Sequence, residues 1–275
     1  MFKKTVAFIS EFADIFNKNR LPQAAAALSY YLTMTVFPLI ICLYTLLGRN
    51  YQRAVETLDF FSNLWTPQVV GIVNDFLTYV STSYSPAMLT AGLALLITSS
   101  SAAFRSIQAT LGEMQGGQRF QGFMYFIFSV IFSLMFLAAI YFSVLVVLTG
   151  EDILELISRF IPFLDARSSW VWLRFILLGA TFLTIIWALY ALSKRKTDRY
   201  RTFPGALFAA FGTVGMSYLF SIFIGASARY PLVYGSLASI ILLMFWMFIL
   251  CQVIYMGAAL NIAIRNYREK NGKYY

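Results

Sequence analysis

Six long apolar stretches, separated by short polar segments, run through the chain. They lie at Leu28–Gly48, Pro86–Leu111, Gly122–Thr149, Val171–Ser193, Phe203–Gly225 and Tyr234–Ala263. Each has about 20 residues or more, the length that an α-helix needs to cross about 30 Å of hydrocarbon. The pattern predicts an all-α polytopic membrane helix bundle with six transmembrane helices, forming a single integral membrane domain over residues 1–275.

Three further segments have the pattern of amphipathic helices. Residues 1–20 alternate apolar positions with lysines and acidic residues at helical spacing, so we expect this segment to lie in the cytoplasmic interface. Similar patterns begin at Thr66 and at Asp152 on the outer side. These two outer segments are either interfacial helices that cap the bundle or lids over an outward-facing cavity.

The positive charges are distributed unevenly between the two sides of the predicted bundle. Fifteen of the 21 Lys and Arg residues fall on the side that holds both termini. Because basic loops remain in the cytoplasm, we expect both termini to be cytoplasmic. The net charge of +9 then reflects topology and contact with anionic lipids, so we expect no nucleic-acid partner. A composition of 60% hydrophobic and 12% charged residues agrees with a membrane protein.

The usual catalytic and metal-binding groups are scarce. The chain has no histidine, which excludes a Ser-His-Asp triad and a histidine zinc site. Cys42 and Cys251 each lie within a span, and none of the twelve carboxylates lies well inside one. We therefore expect no metal, no cofactor and no enzymatic activity.

Small residues recur at every fourth position in two of the spans. The fifth span has this ladder at Gly205, Ala209, Thr213, Ser217, Ser221 and Gly225, and the second span at Thr90, Ala94, Thr98, Ala102, Ser106 and Thr110. Small residues let helix backbones approach closely in a membrane. We interpret both ladders as helix-packing ridges. The alternative is that the two helices slide or tilt against each other.

The second span is the most polar of the six. Ser101, Arg105 and Gln108 share one helical face there. Arg105 either snorkels to the interface or binds an anion at the cytoplasmic mouth of a polar cavity. Further candidate substrate-binding residues in the first and last predicted spans are Ser29, Tyr30, Thr33, Tyr234, Ser236, Gln252 and Asn261. Pro38 should also kink the first span.

Four blocks of sequence carry a resemblance to a known family. They are Ala24–Tyr31 with Phe37–Leu39, Ser99–Leu111, Phe203–Ala206, and Tyr234–Leu237 through Trp246 to Gly257–Asn261. In this order they resemble the YihY/BrkB family of bacterial inner-membrane proteins, over about residues 20–263. The family often has an acidic residue where this chain has Ala259, so no ion-coupling role is inferred.

The resemblance implies a location in the bacterial cytoplasmic membrane and the handling of lipids or other amphipathic molecules. Some members carry the name ribonuclease BN, which we interpret as a misassignment. We therefore expect a transporter or flippase-like protein for a lipid or an amphipathic anionic substrate, with membrane lipids and a second copy of the chain as partners. The alternatives are a non-transporting scaffold for envelope integrity and a channel for small ions.

Overall fold

The computed structural model describes residues 2–47, 86–115, 122–158, 166–193, 202–226 and 237–270. Over these ranges the chain is helical, without strands. The helices are α1 (Phe2–Lys18), α2 (Leu21–Leu47), α3 (Pro86–Met114), α4 (Gly122–Ser158), α5 (Ala166–Ser193), α6 (Phe203–Ala226) and α7 (Leu237–Lys270). The predicted all-α fold is confirmed. The predicted segment at Thr66, and Tyr234 and Ser236, lie outside the described residues.

Five helices of the described chain are long and apolar enough to cross a membrane: α2, α4, α5, α6 and α7. The sixth predicted span is the 29-residue helix α3, which is not among these five. The run from Thr98 to Ser101 and the charge of Arg105 lower the mean hydropathy of α3. Within the described residues, five spans are therefore supported where the pattern predicts six.

One predicted boundary is wrong. The sequence suggests that a separate helix begins at Asp152, whereas α4 continues without interruption from Gly122 to Ser158. No proline lies between Thr149 and Asp152, and a single glycine such as Gly150 costs a helix only about 1 kcal/mol. With 37 residues, α4 is about 55 Å long. It therefore exceeds the thickness of the hydrocarbon core.

The six long helices form a closed ring. Each helix from α2 to α7 packs against the next one in the chain, and α7 packs back against α2. Most side chains buried within the ring are apolar or small, whereas many large apolar side chains face outward. Phe123 and Phe211, for example, are 78% and 72% exposed. Such a surface suits contact with lipid and would be unfavourable in water.

The N-terminal helix packs onto the end of the ring. Phe8 of α1 makes an edge-to-face contact with Tyr267 of α7, with ring centroids 6.1 Å apart. Phe12 and Phe16 pack against the buried core. A two-residue turn links α1 to α2, and its Arg20 has a positive φ of 47°. This turn fixes α1 against the start of α2.

The backbones of α6 and α7 touch where two glycines meet. A Cβ atom built on Gly205 would overlap the carbonyl oxygen of Gly257 and the side chain of Asn261. One built on Gly257 would lie 2.5 Å from the carbonyl oxygen of Gly205 and 2.9 Å from the Cβ of Ala209. Only glycine fits this crossing at either position. The contact brings α6 against the half of α7 that carries Asn261.

Candidate functional site

A cavity lies at the centre of the ring. Its volume is about 320 Å³, and all six long helices contribute to its wall. Nearly all of the lining side chains are apolar, among them Leu28 and Leu32 of α2, Ile107 of α3 and Ile140 of α4. One of the two interpretations of Arg105 from the sequence includes a polar cavity, and this apolar lining differs from it. An engineered apolar cavity of about 150 Å³ stays dry and binds benzene, and this cavity is about twice as large.

Four polar side chains interrupt the apolar wall: Thr35, Ser100, Ser133 and Thr213. The hydroxyl of Thr35 donates to the carbonyl oxygen of Tyr31, and the hydroxyls of Ser100 and Ser133 are hydrogen-bonded to each other. The hydroxyl oxygen of Thr213 is buried without a hydrogen-bond partner. Thr213 is therefore the wall residue that has unused hydrogen-bonding capacity.

A polar cluster joins α3 to α4 one helical turn away from Ser133. Nη1 of Arg105 donates to the hydroxyl oxygen of Ser101 at 2.7 Å and to that of Ser129 at 3.3 Å. The two serine oxygens are 2.9 Å apart. We call Ser101, Arg105 and Ser129 the Arg105 cluster. These contacts place the guanidinium of Arg105 between two helices and not in the lumen of the ring.

The surroundings of Arg105 hold its side chain without neutralising it. Its guanidinium carbon lies 5.4 Å from the centre of the Phe126 ring, within the range of a cation–π contact. The hydroxyl of Tyr125 donates to the main-chain carbonyl of Arg105 at 2.6 Å. In the described part of the chain, no carboxylate forms an ion pair with Arg105. The positive charge in the Arg105 cluster is therefore free to attract an anion.

Gln108 contacts α5, whereas Arg105 contacts α4. The hydroxyl of Ser193 donates to Oε1 of Gln108 at 2.8 Å, which ties α3 to α5. Both side chains are buried. The predicted face of α3 thus spans two interfaces: Ser101 and Arg105 contact α4, and Gln108 contacts α5.

Asn261 closes the N-terminus of α6. Its Oδ1 accepts from the main-chain N–H of Gly205 at 2.7 Å, and its Nδ2 donates to the carbonyl oxygen of Thr202 at 2.8 Å. The N–H groups of the first turn of a helix lack partners within the helix. Asn261 supplies one such partner from α7, and both of its polar groups are used in this contact.

The remaining candidates lie in several environments. Ser29 and Thr33 are buried, and their hydroxyls donate to the carbonyls of Ala26 and Ser29 within α2. Tyr30 is 49% exposed and faces outward. Gln252 has a buried Oε1 that lacks a hydrogen-bond partner. None of these side chains lines the central cavity.

The predicted ladder of α6 winds around the helix. Gly205 and Ala209 are buried at the crossing with α7, Thr213 lines the cavity, and Ser217 and Ser221 are half-buried. The surroundings of Gly225 are not described. Positions four residues apart drift around a helix with 3.6 residues per turn, so one ladder reaches different neighbours along its length.

Several residues that make these contacts were not predicted from the sequence. Ser129 and Ser133 complete the contacts to α3, and Gly257 provides the other half of the glycine crossing. Ser129 and Ser133 stand four residues apart in the largely apolar first half of α4, a spacing that indicates a polar stripe facing a neighbour. No comparable signal in the sequence pairs Gly257 with Gly205.

A family described as Virulence factor BrkB matches residues 12–274, nearly the whole chain. The chain belongs to the BrkB family. This membership agrees with a membrane protein built from several apolar helices. No solved structure matches the chain.

Two curated proteins are similar in sequence to this BrkB chain. A ribonuclease-like protein called YfkH, from Bacillus subtilis, is 25% identical over 96% of this chain and 97% of its own length. A UPF0761 membrane protein from Aromatoleum aromaticum is 24% identical over 93% of this chain. The match spans 63% of the length of the Aromatoleum protein. In the described part of this BrkB chain, no three His, Cys, Asp or Glu side chains are grouped to hold a metal ion.

Proposed function

We propose that this protein binds an anionic amphipathic lipid between its helices and moves it across the bacterial cytoplasmic membrane. The central cavity of about 320 Å³ carries the proposal. Its volume lies at the lower end of the range of about 300–1,000 Å³ that is usual for small-molecule sites. An apolar wall favours a hydrocarbon chain over any polar ligand.

The Arg105 cluster supplies the second half of the proposed site, a positive charge for the head group. Ser100 and Ser133 line the cavity, while Ser101, next to Ser100, and Ser129, one turn from Ser133, contact Arg105, so the cluster borders the cavity. A guanidinium binds phosphate or carboxylate oxygens through two parallel donors. An acyl chain in the cavity would thus carry its head group towards Arg105.

The lining also argues against the competing functions. A channel for small ions needs oxygen atoms or water along its path, and the wall of this cavity is almost wholly apolar. A purely structural scaffold does not need a cavity, because filled cores are more stable than empty ones. Ribonuclease chemistry needs acid–base or metal-binding groups, and the chain has no histidine. We therefore propose that the protein is not an enzyme.

Filling the cavity should abolish lipid movement. Ala103 is buried and lines the cavity, so Ala103→Phe places an aromatic ring where the hydrocarbon chain would lie. The measurement is the movement of fluorescent phosphatidylglycerol and phosphatidylserine between the leaflets of proteoliposomes. We expect movement with the parent protein and loss of most of it with Ala103→Phe.

The matched control is Ala138→Phe, since Ala138 is exposed on α4 and lies outside the cavity wall. This variant should keep the activity of the parent. Equal activity of Ala103→Phe and the parent would contradict the role of the cavity. A parent protein that moves neither lipid would refute the proposed function itself.

We also propose that both termini are cytoplasmic. Support comes from five positive charges in residues 194–201, against four acidic residues between Glu151 and Asp165. An impermeant thiol reagent applied to intact cells should label Ser158→Cys and leave Thr197→Cys unlabelled. Cys42 and Cys251 are buried, which keeps the background low. The opposite labelling pattern would invert the orientation.

A further inference from the structure

A second pocket lies where the turn between α1 and α2 meets the end of α3. Its volume is about 480 Å³, and its wall is polar. It is lined by Lys18, Asn19, Arg20, Gln23, Ala24, Thr110 and Glu113. None of these residues takes part in the central cavity or in the Arg105 cluster. We call this space the elbow pocket.

Two positively charged side chains and one negatively charged side chain border the elbow pocket, and they form no ion pair with one another. Lys18, Arg20 and Glu113 are exposed, and in the described part of the chain none of them forms an ion pair. The cations therefore stand too far from the carboxylate for a direct contact, although all three border the same space. A ligand that carries groups of both signs could bridge them.

The backbone holds Arg20 in an unusual conformation. Its φ of 47° lies in the left-handed region, where a residue with a Cβ atom costs roughly 1–2 kcal/mol more than glycine. The position follows the end of α1, where glycine or asparagine is usual. The N–H of Arg20 donates to the carbonyl of Asn17 at 3.1 Å, which completes the turn. The turn thus keeps an arginine where folding alone would favour glycine.

We infer that the elbow pocket binds a head group that carries a phosphodiester, a carboxylate and an ammonium group, as the head group of phosphatidylserine does. Two cations match the two anionic groups, and Glu113 matches the ammonium. The three side chains have a combined charge of +1, which complements the net charge of −1 of such a head group. The inference rests on the proposed function and adds the class of head group.

The place of the pocket suits a first contact with the lipid. Glu113 and Arg105 both lie on α3, about 12 Å apart along the helix axis. A head group captured at the elbow pocket would be close to the Arg105 cluster that lies deeper in the bundle. A free phosphodiester with the same groups shares this chemistry, so the experiment has to separate the two sources.

The test uses Arg20→Gly in the full-length protein, because glycine accepts the positive φ of 47° and removes the charge without straining the turn. Binding of glycerophosphoserine, glycerol 3-phosphate and lysophosphatidylserine is measured by titration calorimetry in detergent. We expect Arg20→Gly to weaken binding of all three by about tenfold or more, as the loss of a charge-assisted contact does. Arg268→Ala, at an exposed position of α7, is the matched control and should bind like the parent.

Glu113→Gln provides a readout that a structural role would not produce. It should weaken binding of glycerophosphoserine and should not weaken binding of glycerol 3-phosphate, which has no ammonium. Tighter binding of lysophosphatidylserine than of glycerophosphoserine assigns the pocket to a lipid, and equal affinity assigns it to a free phosphodiester. Unchanged binding of every probe in both variants would overturn the inference.

The two proposals fail separately. If Arg20→Gly binds the probes and moves fluorescent phosphatidylserine like the parent, only the elbow pocket is refuted. If the parent binds the probes and moves no lipid in proteoliposomes, only the transport function is refuted.

Discussion

Replacing Gly205 by alanine should destabilise the folded protein by about 3 kcal/mol or more, at the upper end of what overpacking costs. The added methyl group would overlap the carbonyl oxygen of Gly257 and the amide of Asn261, which is bonded to the N-terminus of α6. Neither neighbour is the flexible end of a long side chain, so α6 and α7 would have to separate. The free energy of unfolding in detergent measures the effect.

The control comes from the same helix. Gly215 has no atom within 4 Å of the place where its Cβ would lie. Gly215→Ala should therefore raise stability by up to about 1 kcal/mol, since alanine is the better helix former. If Gly205→Ala and Gly215→Ala changed stability alike, the glycine crossing would not hold the bundle together.

Removing the guanidinium of Arg105 should reduce lipid movement by about tenfold to a hundredfold, the range expected for a lost charge-assisted hydrogen bond. Arg105→Ala leaves Ser101 and Ser129 to bond each other and takes away the charge beside the cavity. Arg105→Lys keeps the charge but loses the paired donors, so it should retain only part of the activity. The measurement is the same movement of fluorescent anionic lipid in proteoliposomes.

A snorkelling arginine would behave differently. It needs only a charge near the interface, so Arg105→Lys would then be fully active. Arg268→Ala serves as the control for a general loss of positive charge, because Arg268 is exposed at the end of α7. Full activity in both Arg105 variants would eliminate this residue as a ligand for the head group.

The helices were predictable because each one is encoded locally. A run of about 20 apolar residues can satisfy its backbone hydrogen bonds within a membrane only as a helix or in a closed barrel. The start of α3 at Pro86 and of α6 at Phe203 coincide with the ends of polar segments. The end of α4 was missed because Glu151 and Asp152 indicate where the helix leaves the hydrocarbon core. Leaving the hydrocarbon does not by itself end a helix.

The contacts between helices were harder to predict from the sequence. A polar face on α3 could be read from Ser101 and Arg105, but the sequence did not say which neighbour it meets. The cavity is a property of six helices together, and its apolar wall contradicts a polar lumen. The left-handed conformation of Arg20 follows from how α1 docks, and arginine carries no signal for it.

The contact between Phe8 and Tyr267 also constrains the number of membrane crossings. It joins the helix that precedes α2 to the final turns of α7, so the chain enters and leaves the ring on the same face. A chain that traverses a bilayer an odd number of times ends on the opposite face from where it began. Among the described helices, five crossings alone would put these two ends on opposite faces, so we expect α3 to traverse the membrane as well. The polar side chains of Ser100, Ser101 and Arg105 are compatible with this crossing because they contact α4 and not lipid.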